Sequence, residues 1–259
     1  MDPVHQFELE RQQRVAQYGK DAEFRALSRA WLQQSMQRKY VYNFDWLGRP
    51  IIQYPQDMVA MQELVWRVRP DVIIETGIAH GGSLVLSASL LALLDMSDAI
   101  EAGEVMDPRL SRRKVIGVDI DIRAHNRQAI ESHPMASRIH MIQGSSVDPA
   151  VVEQVQQMAH GAQRVLVCLD SMHTHDHVLS ELDAYASLVS PGSYCVVFDT
   201  FVEDMPQGFF EDRPWDVGDN PKTAVRDWLA LHPEFEVDAA VEDRLQVTVA
   251  PMGFLRRKP

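Results

Sequence analysis

The sequence predicts an α/β protein whose mostly parallel sheet is covered by helices, closed by a C-terminal antiparallel hairpin and preceded by a helical N-terminal cap. Between residues 72 and 200, short runs rich in β-branched side chains alternate five times with segments of helical spacing. Two further apolar runs, 235–241 and 245–255, are separated by a turn-like Glu-Asp pair. Residues 5–40 carry apolar side chains at helical intervals instead. Alternation of strands and helices is typical of a parallel sheet with helices on its faces.

Composition and charge limit the possible partners. With 259 residues, 46% of them apolar, the chain can bury one large core. We expect an N-terminal helical cap and substrate loop over 1–57, followed by one main domain over 58–259. The net charge of -12 argues against nucleic acid and anionic membrane surfaces as partners.

The expected location is the cytoplasm, because the sequence shows no apolar signal region and no apolar run of the ~20 residues that a membrane span needs. Cys168 and Cys195 lie inside apolar runs, as buried thiols do in a reducing compartment.

The segment that joins the cap to the main domain is rich in aromatic and amide side chains. Glycine and proline interrupt residues 40–57, which predicts a loop. Aromatic faces beside amides suit a sugar-binding surface, and the alternative is that these aromatics only pack the cap onto the core. Residues 58–69 then carry apolar side chains at helical spacing and predict an amphipathic helix.

Residues 72–83 predict a buried strand, a glycine loop and the start of a helix. The carboxylate of Glu75 at the strand tip can face a cationic amine, while the backbone N–H groups from Gly81 to Ser83 can face a carboxylate. S-adenosylmethionine carries both groups, and we predict that Gly77 belongs to the same site. The spacing differs from the G-x-G-x-x-G of dinucleotide sites. The alternative is a glycine turn that binds nothing.

The second and third predicted strands, 114–121 and 139–146, both end in polar residues. Asp119 is our candidate for the ribose diol of the cofactor, with Asp121 in reserve. The alternative is a surface carboxylate that caps the next helix. Adenine would lie against the small polar turn that contains Ser145.

The fourth and fifth predicted strands end in carboxylates, Asp170 and Asp199. The carboxyl ends of neighbouring strands are where an open α/β sheet keeps its chemistry. Two carboxylates on adjacent strand ends can hold a hard divalent cation, for which magnesium is the usual choice. We therefore predict Asp170 and Asp199 as metal ligands, with Asp170 also available to the cofactor.

Three histidines, His173, His175 and His177, follow Asp170 at the start of a helix. Alternate spacing suits ligands on a strand rather than on a helix, so zinc is disfavoured. A histidine with an ordinary pKa near ~6.5 can instead accept a hydroxyl proton at neutral pH. His173, still in the loop, is best placed to be this general base beside Asp170. A helix-capping role for at least one of the three is the alternative.

Residues 205–221 form a long segment rich in proline, glycine and aromatics, which predicts a lid over the site. A helix over 222–231 follows. The runs 235–241 and 245–255 are expected to pair as the closing antiparallel hairpin.

Several passages of this sequence resemble the cephalosporin hydroxylase and rhamnosyl O-methyltransferase family of class I S-adenosylmethionine-dependent methyltransferases. The passages are residues 74–77 with 80–83, 116–121, 169–178, 213–215 and 220–225. The Asp-Ser-x-His-Thr-His and Asn-Pro-Lys-Thr-Ala-Val blocks are the most specific. The resemblance implies a Rossmann-like class I methyltransferase sheet and a methyltransferase domain over 58–259.

The resemblance also implies function: methyl transfer from S-adenosylmethionine to a hydroxyl of a rhamnose-like sugar, glycan or glycolipid, or of another small acceptor. The matching cofactor positions are Glu75, Gly77, Ser83, Asp119 and Ser145, and Asp170 with Asp199 match the metal region. Despite the word hydroxylase, the chain lacks a convincing iron facial triad.

One departure from the family pattern concerns the metal. Phe198 stands before Asp199 where metal-dependent members tend to have glutamate, so one ligand is lost and Glu203 or Asp204 would have to replace it. A catalytically silent scaffold, or a nucleotide-dependent oxidoreductase, is the alternative function. The expected partners are a small-molecule or glycan acceptor and further copies of the chain in a homo-oligomer.

Overall fold

The computed structural model describes residues 2–259. Its helices are α1 (Pro3–Tyr18), α2 (Ala22–Gln37), α3 (Pro55–Val68), α4 (Gly82–Ala102), α5 (Ala124–Glu131), α6 (Pro149–Ala159), α7 (His175–Tyr185), α8 (Pro221–Leu229) and α9 (Ala239–Leu245). Its strands are β1 (Phe44–Trp46), β2 (Arg49–Ile51), β3 (Val72–Thr76), β4 (Lys114–Asp119), β5 (Ile139–Gln143), β6 (Val165–Leu169), β7 (Tyr194–Val197), β8 (Phe235–Val237) and β9 (Phe254–Arg257).

A seven-stranded sheet in the order β5-β4-β3-β6-β7-β9-β8 forms the centre of the molecule. Strands β3 to β7 are parallel, and β9 runs antiparallel to both β7 and β8. This confirms the predicted α/β class with a closing antiparallel pair. Strands β4 and β5 lie on one side of β3, and β6 lies on the other side, so the direction of the strand order reverses at β3. Open α/β sheets bind ligands at such a reversal, which here lies at the carboxyl ends of β3 and β6.

The glycine loop leads into α4, which packs on the sheet and supplies much of one core layer. By length and mean hydropathy, 1.6 over its best window, α4 could cross a membrane, but 50% of that window is buried inside the protein. Burial on this scale is expected for the central helix of a folded α/β core.

The N-terminal cap consists of α1 and α2, as predicted from their spacing. Asp2 and Asp21 cap the two helices by accepting hydrogen bonds from the backbone N–H groups of Val4 and Phe24. Helix α2 buries only Ser28, Leu32 and Ser35, so the cap adds little to the main core.

The segment over 40–57 is more ordered than the predicted loop. It forms a short 3-10 turn, Tyr40–Asn43, and an antiparallel hairpin of β1 and β2. Leu47 and Gly48, at the tip, both have positive φ, 47° and 83°. Such a pair matches the two-residue turn that fits the twist of a hairpin. The sequence did not predict this turn, because its first position carries leucine where asparagine or aspartate is usual.

The C-terminal prediction of a strand over 245–255 is wrong in part. Residues 239–245 form helix α9, and the strand that pairs with β8 and β7 begins only at Phe254. The segment before β9 contacts α3 instead, where buried Asp57 accepts hydrogen bonds from the Thr248 hydroxyl (2.5 Å) and the Val249 N–H (3.0 Å). The second contact uses the Val249 N–H, a backbone group that a strand would need for pairing.

Candidate active site

A cavity of about 690 Å³ opens at the carboxyl ends of β3 and β6. Three parts of the chain form most of its wall. The loops after the central strands contribute Gly77 and Asp170, the segment between α2 and α3 contributes Tyr42 and Gln53, and the predicted lid contributes Trp215. The cavity therefore lies where the topology puts a ligand site, between the sheet, the cap and the lid.

The glycine loop passes very close to the end of β6. Gly77 has φ of 87°, and a Cβ there would lie 1.9 Å from the backbone oxygen of Asp170. Only glycine fits, because both the backbone conformation and the space exclude a side chain. Gly81 is the N-cap of α4, again with positive φ, but it faces Ile130 and does not line the cavity.

Glu75 lies beneath the loop, buried, with its carboxylate bonded to the Ser83 hydroxyl. Burial raises the pKa of Glu75 to about 7, although the hydrogen bond from Ser83 opposes the shift. Ser83 lines the cavity and Glu75 does not. Glu75 thus acts on the cavity through Ser83, and its predicted contact with the cofactor stays a prediction.

Asp119 at the end of β4 shapes the glycine loop. Its carboxylate accepts hydrogen bonds from the N–H groups of Ile78 (2.7 Å) and Ala79 (3.2 Å), and from that of Asp121 (3.0 Å). Ionised carboxylates can accept further hydrogen bonds, so a ribose contact remains a prediction. Asp119 and Ser145 both lie outside the cavity lining.

Asp170, His173 and Asp199 form one cluster at the ends of β6 and β7. One ligand atom from each of the three lies within 4.8 Å of the others. The His173 Nε2 atom is 2.9 Å from an Asp199 carboxylate oxygen. Asp199 has φ of 55°, an uncommon conformation for a residue with a side chain. Strained residues persist where the surroundings over-determine them, often at active sites.

The electrostatics of the cluster favour a bound cation. The pKa of Asp170 is raised well above its usual range, first by burial, then by the carboxylates of Asp199 and Glu75. Like charges this close disfavour the ionised form, and a divalent cation between them would relieve the repulsion. Two carboxylates with water suit magnesium, whereas iron facial triads use two histidines and one carboxylate.

The residues suggested as a replacement for the missing glutamate are engaged elsewhere. Glu203 accepts hydrogen bonds from the Gly218 N–H (2.8 Å) and the Asn220 side chain (2.6 Å), and Asp204 pairs with Lys222 at 2.6 Å. Phe198 is buried in the core. Neither carboxylate belongs to the Asp170, His173 and Asp199 cluster, so the suggestion that Glu203 or Asp204 supplies the lost ligand stays a prediction. The third potential ligand is His173, which the sequence indicated only as a base.

The other two histidines have structural partners. The ring Nδ1 of His175 lies 2.9 Å from the Thr223 hydroxyl of α8, and the backbone N–H of His175 donates to the Asp219 carboxylate. His177 Nε2 lies 3.1 Å from the Ser171 hydroxyl and 3.5 Å from Glu181. Serine, histidine and glutamate do not form a catalytic triad here, because one ring nitrogen meets both partners.

The predicted lid does line the cavity. Trp215 contacts the His173 ring edge-on, with the ring centroids 4.7 Å apart, and the Arg213 guanidinium lies over Trp215 at 5.4 Å. Sequence reasoning missed the contact between the lid and His173. The only signal was the Arg-Pro-Trp passage that the resemblance singled out.

Two buried acids, Glu75 and Asp57, predict an unusual pH dependence of stability. Burial also raises the pKa of Asp57 to about 7, whereas unfolded carboxyls ionise near ~4. Between these values the folded protein binds more protons than the unfolded chain, so the free energy of unfolding falls as pH rises. Without ligands, the protein should lose on the order of a few kcal/mol between about pH 5 and pH 8.

Thermal unfolding across this pH range checks the prediction. Asp57→Asn should flatten the slope, because the amide keeps the shape of the side chain and does not titrate. A parent Tm that rises from pH 5 to pH 8 would contradict it.

Comparison with known proteins decides the family. The family model described as rhamnosyl O-methyltransferase/CmcI matches residues 38–258. The chain belongs to this family. It is accordingly an S-adenosylmethionine-dependent O-methyltransferase, as the resemblance implied, and the oxidoreductase alternative is disfavoured. The Asp170, His173 and Asp199 cluster at the strand ends argues against a silent scaffold.

Named relatives of this O-methyltransferase span most of its length. The rhamnosyl O-methyltransferase of Mycobacterium tuberculosis is 30% identical over 208 residues, covering 78% of this chain and 73% of the relative. The Mycobacterium leprae protein of the same name is 26% identical over 215 residues, 82% of each. A solved structure of CmcI with magnesium and S-adenosylmethionine superposes with a TM-score of 0.54 at 18% identity, over 84% of this chain and 78% of that one, and shows the shared fold.

Proposed function

We propose that this enzyme transfers the methyl group of S-adenosylmethionine to a hydroxyl of a rhamnose-like sugar, carried on a glycan or glycolipid. The observation that carries the proposal is the cavity, which joins an imidazole and two carboxylates at the strand ends to a wall of aromatic and amide side chains. The similarity to rhamnosyl O-methyltransferases supports a sugar as the acceptor.

His173 is proposed to be the general base. When Nε2–H donates to Asp199, the lone pair of Nδ1 is free to accept the acceptor hydroxyl's proton. Asp199 and the edge of Trp215 together hold the ring in one orientation. Bound S-adenosylmethionine supplies the electrophilic methyl group. The protein's task is to align the acceptor oxygen with it and to remove the proton as the bond forms.

S-adenosylmethionine is proposed to lie along the glycine loop. Gly77, Ser83 and Asp170 line the cavity at this point, and the start of α4 offers backbone N–H groups to a carboxylate. Glu75, Gly81, Asp119 and Ser145 would support the cofactor from just outside the lining.

Magnesium is proposed to be held by Asp170 and Asp199, which offer the oxygen ligands that this ion prefers. A bound divalent ion would act as a Lewis acid and lower the pKa of a coordinated hydroxyl. Because the hard ion favours oxygen, the imidazole of His173 is left to act as the base.

A methyl-transfer assay tests the proposed function. The purified chain is given S-adenosylmethionine, magnesium and either rhamnosides or small phenols. Methylated rhamnosides are expected, with little or no methylated phenol. Transfer to phenols alone would overturn the sugar assignment while leaving the enzyme class intact.

Asp119→Ala should weaken S-adenosylmethionine binding by about 1.5–3 kcal/mol, because charge-assisted hydrogen bonds to the ribose and to the glycine loop are lost. Isothermal titration measures the change. Asp121→Ala is the matched control, since this exposed carboxylate lies two residues away. If Asp121→Ala weakens binding and Asp119→Ala does not, the ribose contact belongs to Asp121.

We also propose a homo-oligomer, a cytoplasmic location and a functional division at residue 57. Large apolar side chains stay exposed on the outer faces of α3 and α4, namely Trp66, Leu93, Met96 and Ile100, and they support self-association. The buried free thiols of Cys168 and Cys195 fit a reducing compartment.

A further inference from the structure

Gln53 is a buried amide that lines the cavity. It lies two residues after β2, is only 3% exposed, and lines the cavity together with Asp170 and His173. Its side-chain oxygen has no hydrogen-bond partner anywhere in residues 2–259. A buried polar atom without a partner is uncommon in folded proteins and needs an explanation.

The surroundings of Gln53 show that the amide is not required by the fold. Its neighbours Ile51 and Tyr54 are buried, and the Tyr54 hydroxyl is satisfied by the hydroxyl of Ser35 at 2.5 Å. An unpaired buried acceptor costs about 1–3 kcal/mol. An apolar side chain of the same volume would avoid this cost, so an unpaired amide at position 53 would lower the stability of the unliganded protein.

From these observations we propose that the Gln53 amide hydrogen-bonds a hydroxyl of the acceptor other than the one that is methylated. Gln53 is then a specificity-determining residue, and this inference rests on the proposed sugar acceptor. His173 and Asp170 belong to the strand-end side of the same cavity, so a polyhydroxy ring between the two walls can present one hydroxyl to His173 and another to Gln53.

Discrimination between acceptors follows from the unpaired amide. A site that hydrogen-bonds a substrate hydroxyl strongly rejects the analogue that lacks it, because the buried group is again left unpaired. The enzyme should therefore disfavour one particular deoxy analogue of its acceptor. If an ordered water already satisfies the amide, no such preference should depend on Gln53.

Gln53→Met tests the inference, since methionine has a similar volume and no hydrogen-bonding amide. Gln62→Met is the matched control, because Gln62 is an exposed glutamine on α3 that does not line the cavity. The probes are the best methylated rhamnoside and its two analogues deoxygenated at the positions that are not methylated. For the full rhamnoside, Gln53→Met should lower kcat/KM by about 10- to 100-fold, the factor that one lost hydrogen bond to a buried group predicts.

The comparison of kcat/KM across the rhamnoside and its deoxy analogues decides whether Gln53 contacts an acceptor hydroxyl. For one deoxy analogue the parent should be slow and Gln53→Met no slower, whereas Gln62→Met should follow the parent on every acceptor. The affinity for S-adenosylmethionine should not change. Without ligands, Gln53→Met should have a Tm equal to or above that of the parent.

Two results would overturn the inference. A lower Tm with an equal loss of activity on every acceptor would make Gln53 a structural residue. Unchanged kcat/KM on all acceptors would mean that its amide meets only water. If the parent methylates no rhamnoside, the proposed function fails independently of this inference. The Tm comparison still tests Gln53, because a clear loss of stability in Gln53→Met would contradict an unpaired amide.

Discussion

His173→Ala is expected to slow methyl transfer by a factor of about 10²–10⁴, the usual contribution of a general base. Loss of the imidazole removes the proton acceptor but leaves the glycine loop intact, so S-adenosylmethionine should bind nearly as well as to the parent. The acidic limb of the pH–rate profile should flatten or move, because the general base is no longer present. Single-turnover rates and isothermal titration measure the two effects separately.

His175→Ala is the control for this experiment. Its ring bonds to Thr223 of α8, so its removal should lower stability while turnover per folded molecule is retained. If His173→Ala keeps full turnover and His175→Ala or His177→Ala loses it without unfolding, another histidine is the base. Activity in all three variants would exclude base catalysis by any of these three histidines.

Chelation of divalent cations is expected to abolish turnover, and added magnesium to restore it. The reason is the pair of carboxylates, Asp170 and Asp199, whose repulsion a cation relieves. Asp170→Asn should remove most of the magnesium affinity, because the amide carries no charge. Since the pKa of Asp170 is raised, protons compete with the ion, and magnesium affinity should fall as pH is lowered.

Glu203→Gln serves as the control for the metal site. Glu203 anchors the lid through Gly218 and Asn220, so its variant should keep the magnesium dependence of the parent. Titration of magnesium at two pH values, with turnover as a second readout, follows both variants. An enzyme that turns over at the same rate with and without a chelator would contradict the metal proposal, and His173 would then act with Asp199 alone.

The sequence was sufficient to predict the sheet and the edge where the chemistry lies. Regular alternation of strands and helices determines a parallel sheet, and the carboxyl ends of parallel strands necessarily meet at one edge. Asp170, His173 and Asp199 follow two of those ends in the sequence. Their proximity was therefore predictable without coordinates, as was the helical character of the cap.

Contacts between distant segments decided the rest. No local pattern shows that Asp57 bonds to Thr248 and Val249, 191 and 192 residues away. These bonds hold the first part of the predicted strand over 245–255 away from the sheet. The same holds for Glu203, which the lid engages. Local propensity is a weak guide where hydrogen bonds and burial come from remote parts of the chain.

The fold class, the glycine loop and the polar residues at the strand ends are readable from the sequence, because each depends on spacing along the chain. The tertiary structure adds that Nε2 of His173 lies against Asp199, that Trp215 contacts the His173 ring and that the side-chain oxygen of Gln53 has no partner in the described chain. These features depend on which side chains fill the space between the sheet, the cap and the lid, and packing in three dimensions sets that arrangement.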